Sequence, residues 1–245
     1  MKIATSSATF AREIAAGDLT QLDWLDACAN ELEVDGVVFD VAHFPRLDGE
    51  YVAQLKKVAC DLGLSIAAVD ARATPDEPAF ALAVDLGAPL VVARAPASSD
   101  DARAWGAFAD QTKAATSHAK RLNVTLAIRN VPGTLCPDVA DLRRLAKDVD
   151  SAWLRFALDA GSPFEASDDR SLAKTSIAFV PMPDLGAFAE ANDAVARDAI
   201  ERLARFRGFV VLEGAATTAQ SHAYHAAVRR FTTIRTNALE SSAFV

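Results

Sequence analysis

Eight short apolar runs, each rich in residues that favour β-strands, recur along the chain. The predicted strands are Lys2–Thr5, Gly36–Val41, Ser65–Asp70, Leu90–Arg94, Thr125–Arg129, Leu154–Leu158, Ile177–Val180 and Phe209–Glu213. Their first residues lie roughly 23–35 positions apart, the length of one strand followed by one helix. Runs such as Val37-Val38-Phe39 are apolar without alternation, as expected for parallel strands covered on both faces. This repeat constrains the chain to a layered α/β fold.

Amphipathic stretches fill most of the intervals between the strands. The predicted helices are Gln21–Glu31, Glu50–Leu62, Pro78–Leu86, Asp101–Leu122, Pro137–Val149, Ala191–Arg207 and Ser221–Ala238. Four of them end at a Gly or Asn directly before the next strand, at Gly63, Gly87, Asn123 and Gly208, which is a helix C-cap signal. Residues 159–176 carry little helical pattern, so the helix of the sixth unit is expected to be short or absent.

The number of repeats decides between two architectures. Eight strand–helix units predict a closed (β/α)8 TIM barrel that occupies residues 1–245 as a single domain. The alternative is an open, doubly wound parallel sheet, which usually carries a glycine-rich first turn. Thr5–Phe10 contains no glycine, so the sequence favours the barrel.

Charge and composition exclude several classes of partner. Lys and Arg number 25 against 33 Asp and Glu, a net charge of -8, whereas nucleic acids and anionic membranes require clustered cations. The chain has no apolar run of about 18 residues and no signal-peptide pattern, so we expect a cytoplasmic protein without membrane or nucleic-acid partners. The three cysteines form no CxxC pair, and Cys28 and Cys60, which lie in helical patterns, are expected to be buried and reduced.

Polar residues follow nearly every predicted strand at its C-terminal end, where TIM barrels carry their functional groups. In chain order they are Ser6 and Ser7, Asp40 and His43, Asp70 and Arg72, Arg94, Arg129 and Asn130, Asp159 and Ser162, Asp184, and Glu213. Any one of them alone is typical of a surface residue. Their repetition at one end of the strands predicts a concave polar pocket.

Four strand ends carry short motifs, namely Val34–Asp40, Leu126–Asn130, Leu158–Ser162 and Val211–Gly214. With these motifs the chain resembles, over nearly its whole length, the xylose-isomerase-like barrel superfamily of sugar isomerases, sugar epimerases, inosose dehydratases and endonuclease-four-type nucleases. The resemblance implies an isomerase or epimerase that acts on a small carbohydrate, and members often form homo-oligomers. The nuclease branch is excluded because it needs several more His ligands and because an acidic surface repels DNA.

The resemblance also implies a divalent metal site, and this chain departs from it. Members usually bind the ion through a Glu ending strand five, an Asp ending strand six, a His of strand seven and a Glu ending strand eight. A second His normally follows the strand-six Asp by three residues. Asp159 and Glu213 match this pattern, whereas Arg129, Ser162 and Pro181 stand at the other three positions. Two carboxylates alone bind a divalent ion weakly, so we expect no cofactor, with Mn, Mg or Zn as the alternative.

Arg129 provides a physical substitute for the ion. We predict that its guanidinium lies between Asp159 and Glu213 and holds both through charge-assisted hydrogen bonds, because two facing carboxylates without a cation are costly. The alternative is that Arg129 points elsewhere and the two carboxylates cap loops. These three are the candidate catalytic residues, with Asp159 or Glu213 as base and Arg129 or Arg94 as electrostatic stabiliser.

The candidate substrate-binding residues are Asp40, His43, Arg72, Arg94, Asn130 and Ser162. Arg72 and Arg94 end neighbouring strands and, with Arg129, favour an anionic or polyhydroxylated ligand such as a sugar acid or a sugar phosphate. Alternatively, they pair with Asp40 and Asp70 as a structural ring. His43 acts either as an acid or base beside Asp40 or as a loop residue that caps a turn.

Two functions fit these residues. The first is a sugar isomerase- or epimerase-like enzyme that works without the usual metal. The alternative is a catalytically inactive barrel that binds an anionic small metabolite, because three of the five ligand positions are lost and a fold alone does not ensure activity. A purely structural protein would leave the charged strand ends unexplained.

Overall fold

The computed structural model of the chain describes residues 2–73, 77–160, 173–182, 201–203, 206–214, 226–231, 233–234 and 236. Its strands are β1 Lys2–Ser6, β2 Gly36–Asp40, β3 Ser65–Asp70, β4 Leu90–Arg94, β5 Thr125–Arg129, β6 Leu154–Asp159, β7 Thr175–Met182 and β8 Phe209–Gly214. Each strand pairs in parallel with the next, and β8 pairs with β1, so the sheet closes into a barrel. The predicted (β/α)8 TIM barrel is confirmed, and the open sheet is wrong because neither end strand is left unpaired.

Helices follow the strands and cover the barrel. Their bounds are α1 Ala11–Ala16, α2 Gln21–Asn30, α3 Gly49–Asp61, α4 Glu77–Leu86, α5 Ala104–Leu122 and α6 Val139–Val149. Four predicted helices match α2, α3, α4 and α6 within two residues, α5 begins three residues later than predicted, and the sequence did not predict α1. Residues 226–231 are also helical, inside the last predicted helix. No helix in the described part of the chain is long and apolar enough to span a membrane.

Glycine and asparagine end several helices as predicted, with one exception. Gly63, Gly87 and Asn123 have φ angles of 74°, 75° and 57°, the left-handed conformation of a helix C-cap. Gly208 does not have a positive φ. A Cβ there would lie 2.7 Å from the carbonyl oxygen of Ser176, so glycine at this position allows a close approach of two backbones instead.

One prediction about the cysteines is wrong. Cys28 is buried, but Cys60 is exposed, because α3 turns Val52, Leu55 and Ala59 inward and leaves Cys60 on its outer face. Cys136 is buried as well, and burial raises the pKa of its thiol to about 12.

The interior of the barrel is filled by its own apolar layer, separate from the core between barrel and helices. The layer comprises Ala4, Val38, Ala67, Ala68, Leu90, Val92, Ala127, Ala157, Ile177, Phe179 and Val211. Phe179 is the only aromatic ring among these fully or nearly fully buried residues, and alanine provides five of the other positions. The small alanines leave room for a large side chain near the barrel axis.

Candidate active site at the barrel mouth

The residues that follow the inner apolar layer form a ring at the C-terminal mouth of the barrel. Side chains alternate along a strand, so a residue two positions after an inner-layer residue faces the same side. By this rule the mouth ring comprises Ser6, Asp40, Asp70, Arg94, Arg129, Asp159, Pro181 and Glu213. Seven of the eight strands thus place a polar or charged residue at one level of the barrel.

Arg129 joins two carboxylates across the ring. Its Nη1 donates to Oε2 of Glu213 at 2.8 Å, and its Nη2 donates to Oδ2 of Asp159 at 2.7 Å. The residue is 4% exposed. Hydrogen bonds between charged groups are shorter and stronger than neutral ones, so this arrangement fixes the ends of β6 and β8 relative to β5.

Phe179 supports the Arg129 guanidinium from within the barrel. The guanidinium carbon lies 3.9 Å from the centroid of the Phe179 ring, a cation–π contact. Burial by itself lowers the pKa of Arg129, but the charges of Glu213 and Asp159 more than offset this and raise it. The guanidinium therefore stays charged in a nearly dry environment.

Asn130 holds the backbone of Asp159 in place. Its Oδ1 accepts a hydrogen bond from the backbone N–H of Asp159 at 2.8 Å, and the residue is fully buried. This bond ties the residue after β5 to the last residue of β6. Asn130 thus contacts the backbone at the mouth ring and does not line the cavity described below.

Arg72 and Arg94 are each anchored to a buried aspartate. Nε of Arg72 donates to Oδ2 of Asp40, and Nη2 of Arg94 donates to Oδ2 of Asp70 at 3.3 Å. The backbone N–H of Arg72 also donates to Oδ1 of Asp70 at 2.8 Å. Burial raises the pKa of Asp70, and the nearby charge of Arg94 opposes this rise.

A cavity of about 330 Å³ opens at the mouth ring. Its lining residues in the described part of the chain are Ala8, Arg72, Arg94, Pro181, Met182, Glu213 and Gly214. The sequence left open whether the two arginines bind a ligand or pair with Asp40 and Asp70. The structure shows both pairs and also places both arginines in the cavity wall. Asp40 is buried behind the arginines and is not a lining residue.

Eight buried side-chain atoms have no hydrogen-bond partner among the described residues, and four of them belong to residues at the barrel mouth. These four are Nε of Arg94, Nε of Arg129, Nδ2 of Asn130 and Oε1 of Glu213. A buried polar atom without a partner costs about 1–3 kcal/mol. Four such atoms at the barrel mouth are compatible with a binding site, where the protein is not arranged for its own stability alone.

His43 lies beneath the mouth and contacts Ser7. Its Nδ1 is 3.0 Å from Oγ of Ser7, which also accepts a hydrogen bond from the backbone N–H of Asp40 at 2.9 Å. Burial lowers the pKa of His43, while Asp40 raises it and Arg72 lowers it. The ring links the ends of β1 and β2 and is not among the residues that line the cavity.

The lowered pKa of His43 predicts a pH dependence of stability. Between its folded pKa and the unfolded value of about 6.5, the unfolded chain binds more protons than the folded one. Above about pH 6.5, His43 therefore adds no pH dependence to the free energy of unfolding. As the pH falls below that value, it lowers the free energy of unfolding. We expect urea denaturation to show that the free energy of unfolding falls less between pH 7.5 and pH 5.5 in His43→Asn than in the unmodified protein. An equal or larger loss in the variant contradicts the buried, neutral imidazole.

The described residues do not fit a divalent metal at the mouth. The guanidinium of Arg129 lies between Asp159 and Glu213, where an ion shared by these carboxylates would bind. The positive charge of the guanidinium would repel a divalent ion at this position. The two carboxylates alone also offer too few oxygen ligands for such an ion. In the residues that the structure describes, no group of three or more His, Cys, Asp or Glu side chains is placed to hold a metal.

Sequence reasoning did not identify every residue of this site. Ser162 and Asp184, named from the sequence, lie outside the described residues. Phe179 was missed, although it stands two positions before Pro181 on β7 and strand alternation predicts that both face the barrel axis. Met182 and Ala8 line the cavity without any sequence signal of a polar site.

Solved structures with the same fold are numerous, and three illustrate the likeness. L-ribulose 3-epimerase superposes with a TM-score of 0.77 at 15% identity, covering 99% of this chain and 97% of that one. The probable 3-DHS dehydratase AsbF from Bacillus anthracis gives 0.75 at 13% identity, with 95% and 99% covered. The 3-keto-D-glucoside 4-epimerase YcjR from E. coli gives 0.72 at 15% identity, with 95% and 99% covered. At these identities the likeness establishes the fold and not the reaction.

Sequence comparison identifies the family. No curated protein matches the chain significantly. The sequence profile of the xylose isomerase-like TIM barrel family matches residues 27–207, which is more than half of the chain. The resemblance seen in the strand-end motifs is thereby confirmed. The chain belongs to the xylose isomerase-like TIM barrel family.

Proposed function

We propose that this protein is a sugar isomerase- or epimerase-like enzyme that moves a proton on a carbon next to a carbonyl group of a small carbohydrate. The proposal rests mainly on Glu213. Its carboxylate is held by the Arg129 guanidinium at 2.8 Å, and the same residue lines the cavity at the barrel mouth. A carboxylate fixed at a cavity wall is suited to accept a proton from a bound substrate.

Proton abstraction next to a carbonyl needs a base and a positive charge for the developing enediolate oxygen. In this proposal Glu213 is the base, and Asp159, at the other edge of the same guanidinium, is the second candidate. Arg129 holds both carboxylates through charge-assisted hydrogen bonds and supplies a positive charge next to them. It takes the place of the divalent ion that the family resemblance implies.

Solvent deuterium exchange tests the chemistry without a known substrate. The protein is incubated in D2O with a panel of aldoses, ketoses and sugar acids, and deuterium at the carbon next to the carbonyl is followed by NMR. We expect exchange on at least one sugar, unaffected by EDTA, and reduced about 10²–10⁴-fold in kcat by Glu213→Gln. Glu50→Gln, on the exposed face of α3, is the matched control and should keep full activity.

Two results would refute the proposal in different ways. Exchange that EDTA abolishes and Mn²⁺ restores would mean that the enzyme needs a metal and that Arg129 does not replace it. Saturable binding of a sugar acid with no exchange on any sugar would favour the inactive, ligand-binding barrel.

A further inference from the structure

We propose that Arg72 and Arg94 bind a carboxylate group of the ligand, so that this protein acts on sugar acids in preference to neutral sugars or sugar phosphates. The proposal rests on the proposed function for the carbohydrate nature of the ligand. The carboxylate site itself is argued from the charges and contacts of the cavity.

In the described part of the chain, each of the two arginines pairs with one aspartate and keeps further donor groups at the cavity. Each uses one nitrogen on an aspartate that is at most 1% exposed, whereas the side chains of Arg72 and Arg94 are 42% and 28% exposed. A guanidinium has five N–H groups, so with respect to the described residues several of them remain for a ligand. Nε of Arg94 is buried at the cavity and has no partner among the described residues.

The two arginines are held side by side by the backbone. The N–H of Arg72 donates to Oδ1 of Asp70 at 2.8 Å, and the N–H of Arg94 donates to the carbonyl oxygen of Ala73 at 3.4 Å. The loop after β3 is thus tied to the end of β4. Anchoring by aspartates and backbone fixes the donors before a ligand arrives, which lowers the entropy lost on binding.

The charges at the cavity favour a ligand with a single negative charge. Among the described lining residues, Arg72 and Arg94 carry two positive charges and Glu213 carries one negative charge. Asp40 and Asp70, buried behind the arginines, already pair with them. A carboxylate therefore meets the exposed guanidinium groups with the smallest added repulsion. A phosphate dianion brings a second negative charge beside these carboxylates, and a neutral sugar offers the guanidinium groups no charge-assisted hydrogen bond.

Sugars matched at one carbon test this assignment. Hexuronates, the parent hexoses and the hexose 6-phosphates of the gluco and galacto series differ at C6 only in carboxylate, hydroxymethyl or phosphate. We expect calorimetric titration to show that at least one hexuronate binds about tenfold or more tightly than its parent hexose and its 6-phosphate. A hexose or a phosphate that binds as tightly, or the absence of binding by every hexuronate at millimolar concentration, overturns the carboxylate site.

Variants of the arginines show whether the preference comes from this site. Asp70→Asn with Arg94→Gln removes both charges of one pair, so no buried carboxylate is left without its cation. We expect this double variant to lose about tenfold in hexuronate affinity, and the hexose affinity to stay unchanged. Asp40→Asn with Arg72→Gln removes the other pair in the same way, should give the same selective loss, and serves if the first double variant does not fold. Arg155→Gln is the matched control, because Arg155 lines a separate cavity with Lys174 and Asp150.

The outcomes separate this inference from the proposed function. If the arginine variants lost equal affinity for hexuronate and hexose, the arginines would have only a structural role, and the carboxylate site would be refuted. Selective hexuronate binding without deuterium exchange would refute the enzyme and leave the carboxylate site standing. Deuterium exchange on neutral sugars without a preference for uronates would refute the carboxylate site and leave the proposed enzyme standing.

Discussion

Replacing Arg129 by Met is expected to destabilise the protein by about 3–5 kcal/mol, because it leaves two largely buried carboxylates without the cation that holds them. Met matches the stem of Arg129 as far as the position of Nε and lacks the guanidinium, so the charge and its contact with the Phe179 ring are lost together. Urea denaturation at pH 7.5 measures the loss. We expect catalytic exchange in D2O to be lost with it.

A compensated variant tests the reason for that loss. Arg129→Met combined with Asp159→Asn and Glu213→Gln removes the negative charges as well, and we expect it to recover most of the stability but none of the activity. Arg155→Met, on the same strand as Asp159 but away from the mouth ring, is the control and should change stability by far less. A stable Arg129→Met single variant that still binds ligand would show that the carboxylates do not depend on the guanidinium.

Replacing Arg129 by Glu is expected to turn the mouth ring into a metal site. The variant places a third carboxylate beside Asp159 and Glu213, on three strands that converge at the barrel axis. Like charges at such distances destabilise the fold, and a divalent ion with oxygen ligands relieves the repulsion. We therefore expect a low melting temperature in EDTA and a large, saturable increase with Mn²⁺. At a concentration one hundred times Kd, the ion adds about 2.7 kcal/mol of stability.

The unmodified protein provides the decisive comparison for this variant. It should show no saturable Mn²⁺-dependent shift and no stoichiometric metal by elemental analysis of the purified protein. Arg155→Glu, which adds the same charge change away from the ring, should also show none. A Mn²⁺ shift in the unmodified protein equal to that of the variant would mean that the mouth already holds a metal and that Arg129 is not its substitute.

The barrel could be predicted closely because its strands are bounded by strong local signals. Ser65–Asp70, Leu90–Arg94 and Thr125–Arg129 occur with the predicted bounds, since each apolar run is preceded by a Gly, Pro or Asn and ends at a charged residue. Parallel strands buried on both faces carry a nearly continuous apolar pattern, which distinguishes them from the amphipathic helices between them. The convergence of their polar ends follows from the topology alone.

Other features depend on tertiary contacts and have no local signal. The helix α1 is only one and a half turns long, too short for its periodicity to be read. The position of His43 depends on a contact with Ser7, 36 residues away, so the sequence left open whether His43 acts beside Asp40 or caps a turn as a loop residue. Cys60 shows that a helical pattern predicts a helix without predicting which cysteine faces the core.

The Arg129 guanidinium at the barrel mouth is a cation that the protein does not need to take up from its surroundings. A metal centre takes whichever divalent ion is available and binds well, and a competing ion can displace the working one. The cation of this barrel is covalently part of the chain, and it is present in every copy as soon as the chain folds. Under the proposed function, neither metal starvation nor an excess of a tighter-binding ion would change the charge between Asp159 and Glu213.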